Sequence, residues 1–309
     1  MNMRAIVSVI IPTYGGNKSL KRALDSVLQQ DYSPFEVIIV DDNNPGTKQR
    51  LETENMMKEY VNDERVIYIQ HETNKNGSAA RNTGARASKG EYLAFLDDDD
   101  IFLQGKLRKQ VLYLESHSKY DAVYCWRLES GQVIGSQKKG NISASLLDLT
   151  FTPCTCSLMI RREAYFSISG FDESYRRHQD YEFLLRFFQK YKIGVVEEPL
   201  IEIIGNGIDN QLKGAEAVVL KKKFLNTFSN NIDAIDHKYK GYKKRVYAKH
   251  YAPLLIKLLR YGNIRLAIIT YFREGCKGGV FFWSEFLSQI KILLKKYVAK
   301  NKSRKNAVE

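Results

Sequence analysis

No stretch of this 309-residue chain reaches about 18 uninterrupted apolar residues, the length at which a helix begins to span a bilayer, so an integral membrane protein is not expected. The first apolar run, in "MNMRAIVSVIIPTYGG", stops at Pro12 without a small-residue cleavage site, and no signal peptide is expected. Cysteine is scarce. Cys125, Cys154, Cys156 and Cys276 lack the paired spacing of a zinc site and read as free cytosolic thiols. Glycine-rich nucleotide signatures are missing too: "GGNK" lacks the G-x-G-x-x-G spacing, which disfavours a dehydrogenase, and the absence of G-x-x-x-x-G-K-[ST] disfavours a P-loop NTPase. The histidines, His71, His117, His178, His237 and His250, are scattered, and none reads as essential.

Acids are rare in the last third. Residues 213 to 309 hold 22 of the 48 Lys+Arg and 6 of the 35 Asp+Glu, a net of +16, which leaves 26 against 29, or −3, for residues 1 to 212. The expected organisation is therefore an acidic-to-neutral catalytic domain over 1–212 and a basic helical region over 213–309 that faces a polyanion. Hydrophobic content of 44% beside 27% charged residues excludes wholesale disorder.

What is present is an alternation of strand-like and helix-like segments. "IVSVIIP", "FEVIIVDD", "RVIYIQ" and "EYLAFLDD" read as strands. Between them Leu20, Ala23, Leu24, Val27 and Leu28 recur at helical spacing behind a cap at Asn17, "SAARNTGARAS" reads as a short helix, and "GKLRKQVLYLES" as another. "AVYCWRL", "CTCSLMIRR", a loop, a helix in "HQDYEFLLRFFQ" and a strand in "GVVEEPLIEI" follow. This rhythm predicts an α/β domain with a mostly parallel sheet covered on both faces. Ligands of such sheets bind beyond the carboxyl ends of the strands, where this chain carries Thr13-Tyr14, Asp41-Asp42 and the run Asp97 to Asp100. Four adjacent carboxylates repel unless a cation, hydrogen-bond donors or protons relieve them, and an oxygen-rich cluster suits Mg²⁺ or Mn²⁺.

In order along the chain, "SVIIPTY", "SVLQQDY", "EVIIVDDN", "NGSAARNTG", "FLDDDD", "GFDE" and "HQDYEFLLR" resemble the inverting family-2 glycosyltransferases of the GT-A fold, of the bacterial polysaccharide, O-antigen or capsule type. The resemblance covers roughly residues 5 to 205 and implies a Rossmann-like GT-A domain that transfers a sugar from a nucleotide-sugar donor, with a divalent cation, to a hydroxyl of an acceptor. It implies that Pro12, Thr13 and Tyr14 lie against the nucleobase, where an aromatic ring can stack, and that Asp42 accepts a hydrogen bond from the base while Asp41 is a structural partner. Arg81 becomes a phosphate or base contact, and Asn82 and Gly84 let their helix approach the sheet. Asp97 and Asp98 become ribose and phosphate-region contacts, Asp99 the metal ligand and Asp100 its support, in a register uncertain by one residue. Asp180 matches the catalytic base, placed where a helix N-terminus favours an anion. The family often has Glu-Asp there. Gln179 cannot serve as a base, and Glu182 is the fallback.

No Q-x-x-R-W follows "HQDYEFLLR", so one sugar per encounter is expected. The donor is expected to be UDP-linked and the acceptor a glycan on a polyprenyl diphosphate, with Mn²⁺ or Mg²⁺ as cofactor. In the C-terminal region Trp283, Phe286, Leu287, Ile290, Leu294 and Tyr297 share one helical face opposite lysines. That pattern suits an anionic membrane surface, and equally a helix docked on its own domain or in a homodimer. The expected place is the cytoplasm, peripherally on the inner face of the cell membrane. A nucleic-acid-binding protein would explain the charge but leaves Asp97 to Asp100 and Asp180 unused, and no nucleic-acid partner is expected; a non-catalytic sugar-binding scaffold is disfavoured because the metal and base positions are filled.

Overall fold

A computed structural model describes residues 6–15, 18–205 and 212–305, the side chains at 18 and 296–305 excepted. The chain divides into two compact units, Met1–Ser143 with Phe151–Gly207, and Ala144–Thr150 with Ile208–Glu309.

The first unit is built on one sheet of nine strands: β1 (Val7–Thr13), β2 (Phe35–Asp41), β3 (Val66–Gln70), β4 (Tyr92–Phe95), β5 (Ile101–Phe102), β6 (Ala122–Glu129), β7 (Gln132–Ile134), β8 (Met159–Arg161) and β9 (Ile193–Ile203). Their order is β3-β2-β1-β4-β8-β6-β9-β5, with β7 paired to β6. β3, β2, β1 and β4 run parallel, as do β6 and β9; β8 is antiparallel to both β4 and β6, and β5 to β9. Helices α1 (Lys18–Leu28), α2 (Lys48–Met57), α3 (Gly77–Ala87), α4 (Lys106–Ser116), α5 (Ser143–Leu147), α6 (Arg162–Ser167) and α7 (Gln179–Phe187) come between the strands. The parallel strands are apolar on both faces because helices cover both: Val7, Val9, Ile10 and Ile11 of β1 are all fully buried.

α1 buries Leu20, Ala23, Leu24 and Val27 at the expected spacing, while its cap at Asn17 lies outside the described residues. α3 starts at Asn76, whose Oδ1 accepts from the amides of Ser78 and Ala79. Gly84 then sets how closely α3 lies on the sheet, since a Cβ there would stand 2.5 Å from Ile10 Cγ2. Gly84→Ala is expected to destabilise the protein by about 1–3 kcal/mol through overpacking, read as a lower midpoint in urea. Asn82 does something other than the close approach expected of it. Its Nδ2 donates to the Phe171 carbonyl and to Glu173 Oε1, and its Oδ1 accepts from Tyr165 Oη and the Phe171 amide, so it ties the 171–173 loop to α3.

The second unit is helical, as expected: α8 (Gly214–Thr227), α9 (Ser229–Lys238), α10 (Tyr242–Arg260), α11 (Ile264–Arg273) and α12 (Gly279–Lys305). α10 is its spine, burying Val246, Tyr251, Ala252 and Leu258. The 144–150 segment joins this unit because its carbonyls are bound by α10: Tyr242 Oη donates to Ala144 O at 2.6 Å, and His250 Nε2 to Leu147 O at 2.9 Å. α12 begins docked on α10. Phe282 is fully buried and its ring lies 5.1 Å from Tyr271 and 5.9 Å from Phe286, whereas Trp283 and Leu287 face solvent. The stripe read from the sequence is thus divided between packing and exposure, and Tyr297 lies outside the described side chains. Among the described residues no helix is long and apolar enough to cross a membrane.

Candidate active site

β1 and β4 are parallel neighbours in register Ile10↔Phe95, so the residues that follow them emerge side by side. Thr13 Oγ1 donates to Asp98 Oδ2 at 2.5 Å and the Tyr14 amide reaches the same oxygen at 3.3 Å. Burial pushes the Asp98 carboxyl up to about 7 despite those bonds, with the charges of Asp99 and Asp97 adding to the rise. Pro12 is half-buried in the ladder opposite Val40. Tyr14 is 65% exposed, which leaves a ring available for stacking beside the acids.

Arg81, on the buried face of α3, stands at the centre. Its Nη2 donates to Asp97 Oδ1 at 2.5 Å and its Nη1 to Gln179 Oε1 at 2.8 Å; its guanidinium carbon lies 5.6 Å from the centre of the Phe171 ring, and its buried Nε has no hydrogen-bond partner. Gln179 therefore links Arg81 to the start of α7. The next residue is Asp180, in the first turn of that helix, where burial pushes the carboxyl up to about 6 while the Tyr181 amide, at 3.0 Å, and Arg81 pull the other way. Glu182, the alternative base, is 2% exposed and held by Arg186 through both Nε and Nη2. Its carboxylate is committed to that pair and is withdrawn as a base.

The rest of the acid run reaches toward β8 and the end of β9. Ligating atoms of Asp97, Asp100 and Cys156 all lie within 4.8 Å of one another. Cys156 Sγ donates to Asp100 Oδ2 at 3.3 Å and accepts from the Asp97 amide at 3.3 Å, and burial pushes its thiol well up. It is a neutral donor to the acids. The Ile204 amide donates to Asp100 Oδ1 at 3.0 Å, and burial, followed by Asp97, pushes Asp100 up to about 7. Asp99 is raised by burial and then by Asp97, while Arg22 Nη2 donates to its carbonyl at 3.0 Å. Gly205 leaves room for that side chain, since a Cβ there would stand 1.9 Å from Asp99 Oδ2. Carboxylates lifted by burial and then by their neighbours' charges, beside a thiol that stays protonated, make a donor set that suits a hard divalent cation rather than a thiophilic one.

Asp42 adjoins the same strand end, its amide donating to the Thr13 carbonyl at 2.9 Å, but its side chain is already engaged. It is 2% exposed, and its oxygens accept from His71 Nδ1 at 2.7 Å, the Lys75 amide at 2.7 Å, Asn74 Nδ2 at 2.9 Å and the Asn76 amide at 2.9 Å. These four donors match the roughly four acceptor positions of a carboxylate, so a nucleobase contact there requires one of them to yield. Asp41 is fully buried and structural, bound by Asn43, Tyr68 and Arg50. Three contributors are not announced by the sequence: Cys156 under the acids, Gln179 on Arg81, and His71, which braces Asp42 and Thr83. Only Gln179 carried a signal, through its place beside Asp180.

Comparisons with known proteins place the chain in a family. The family model described as glycosyl transferase family 2 matches residues 8–190. An uncharacterised glycosyltransferase of Methanocaldococcus jannaschii is 32% identical over 222 residues, covering 68% of this chain and 74% of that protein. One of Haemophilus influenzae is 33% identical, covering 63% of this chain and 67% of its own length. Among solved structures, S. aureus TarS in complex with UDP-GlcNAc superposes with a TM-score of 0.56 at 18% identity, covering 92% of this chain and 91% of that one. The mannosyltransferase PcManGT of Pyrobaculum calidifontis, in complex with GDP-Man and Mn²⁺, gives 0.60 at 15% identity, covering 94% and 86%. The fold shared with these structures is a mixed α/β sheet flanked by helices, GT-A-like, with C-terminal helices beyond it.

Proposed function

The chain belongs to glycosyl transferase family 2 and is a glycosyltransferase, and from that premise we propose that it moves a hexose, with inversion, from a UDP-linked donor to a hydroxyl of a lipid-linked glycan, one sugar per encounter. The observation that carries this reading is the gathering of Asp97 to Asp100 between the Thr13-Tyr14 strand end and the Arg81–Gln179 link to Asp180. Tyr14 stacks on the base, with Pro12 and Thr13 beneath it, and Asp97 and Asp98 contact the ribose and phosphate region. Asp99 would hold Mn²⁺ or Mg²⁺, with Asp100, bound by Cys156, in support, and such an ion would supply positive charge against a diphosphate leaving group. Arg81 adds a fixed positive charge beside the same phosphates. Asp180 takes the acceptor's hydroxyl proton as that oxygen bonds to the anomeric carbon and the bond to the diphosphate breaks on the opposite face.

The donor complexes of TarS and PcManGT support a nucleotide-diphosphate sugar, and the Mn²⁺ of PcManGT supports the cation. The net of +16 over residues 213–309 supports a polyanionic surface, which we take to be the inner face of the cell membrane, where a polyprenyl-diphosphate acceptor is presented. The test is to incubate the protein with UDP- and GDP-hexoses and a glycan acceptor, with Mn²⁺ or with EDTA. The expected result is metal-dependent release of UDP and a β-linked product from an α-linked donor. A retained configuration, or transfer unaffected by EDTA, overturns the corresponding part.

A further inference from the structure

α11 turns an apolar face to solvent. Ile264, Ile268 and Phe272, at i, i+4 and i+8, are 58%, 53% and 71% exposed, while Ala267 and Thr270 are buried on the other side; Tyr261, just before the helix, is 58% exposed with Lys213 Nζ 5.9 Å from its ring. The apolar surface continues onto α12 through Tyr271, whose ring lies 5.4 Å from that of the exposed Trp283. Exposed large apolar groups this close together mark an interaction surface rather than ordinary scatter.

The charge along this part of the chain has one sign. Arg265 and Arg273 are exposed on α11 itself, and from His237 to Arg273 the sequence holds ten Lys+Arg and no Asp or Glu. The next acids are neutralised locally: Glu274 pairs with Lys277 and Lys222, and Glu285 with Lys249. A second copy of this chain would bring a like-charged surface to the contact. Nucleic acid would satisfy the arginines and leave the isoleucines and Phe272 against phosphate and water. An anionic bilayer takes both groups, apolar side chains at the acyl boundary and arginines among the headgroups.

We propose that the outward face of α11, formed by Ile264, Ile268 and Phe272 with Arg265 and Arg273, is the surface by which this protein docks on an anionic lipid bilayer. α11 lies in the interface plane, and the exposed start of α12 extends the contact. The proposal rests on the reading above for its purpose, the presentation of a lipid-linked acceptor, but its test uses neither donor nor acceptor, so either can fail alone.

The full chain is sedimented with vesicles of phosphatidylcholine, and with vesicles in which about one lipid in three is phosphatidylglycerol, at low and at high salt. Binding to the anionic vesicles alone, weakened by salt, is expected. Ile268→Glu combined with Phe272→Glu alters two exposed side chains, so the fold should persist, as checked by circular dichroism. It should lower partitioning about tenfold or more. Val61→Glu, at a 77% exposed position of the first unit, should leave partitioning unchanged. Absence of binding to anionic vesicles, or equal binding by the double variant, overturns the proposal. So does a double variant that turns a dimer into a monomer in velocity sedimentation, which makes the face a self-interface.

Discussion

Asp180→Asn is expected to lower turnover about a thousandfold while the donor still binds, because the substitution keeps the shape at the start of α7 and removes only the proton acceptor. Single-turnover rates and donor Kd by calorimetry separate the two effects. The pH profile supplies an independent sign. Burial raises the Asp180 carboxyl to about 6, and only the deprotonated form accepts a proton. Wild-type turnover should therefore rise with pH through about 6 and level above it, and that limb should vanish in the variant. Near-normal turnover of Asp180→Asn would take the role away from this residue. It would not pass to Glu182, whose carboxylate is bound by Arg186. Gln179→Ala tests the link to Arg81: loss of that amide should shift the limb, since Arg81 is one of the groups holding the Asp180 carboxyl down.

Much of this site was legible because parallel strands announce themselves. β1, β2, β3 and β4 are apolar runs ending in polar residues, and a parallel register brings those ends together without further instruction. What the sequence hid depends on distant partners. α2 has no apolar period to find, since Arg50 and Thr53 are among its buried residues. Asp42 looked like a free acceptor because its four donors come from residues 71–76, about thirty positions on, through a loop without periodicity. Cys156 meets Asp97 and Asp100 only because β8 pairs antiparallel with β4, a crossing that local spacing does not encode. α11 shows the converse limit. An amphipathic pattern reads the same whether its apolar side is covered or bare, and only the packing around α10 shows which side was left outside.

Divalent metal should tighten UDP binding by about tenfold or more, and Asp99→Ala should remove that increment together with activity while leaving the metal-free affinity in place. Asp98 and Asp100 are both held near 7 by burial and by neighbouring acids, so without a cation the run is partly protonated at neutral pH. A cation must displace those protons. Its affinity should therefore weaken as the pH falls below about 7 and strengthen above it, with proton release on binding that calorimetry in buffers of different ionisation enthalpy reads directly. The register within the run is decided by comparison: Asp100→Asn keeps the shape against Ile204 and Cys156, and if it rather than Asp99→Ala abolishes the metal increment, the ligand lies one position later. Gly205→Ala provides a variant that removes no acid. Its Cβ would intrude to 1.9 Å from Asp99 Oδ2, so it should reduce the metal increment by moving that carboxylate. Cys156→Ala should change the increment little, because a thiol held protonated by burial supports the acids without competing for a hard cation. Equal UDP affinity in EDTA and in Mn²⁺ would remove the metal from this site and leave the repulsion among four acids to be relieved by protons, by Arg81 and by the donors from Thr13, Tyr14, Cys156 and Ile204.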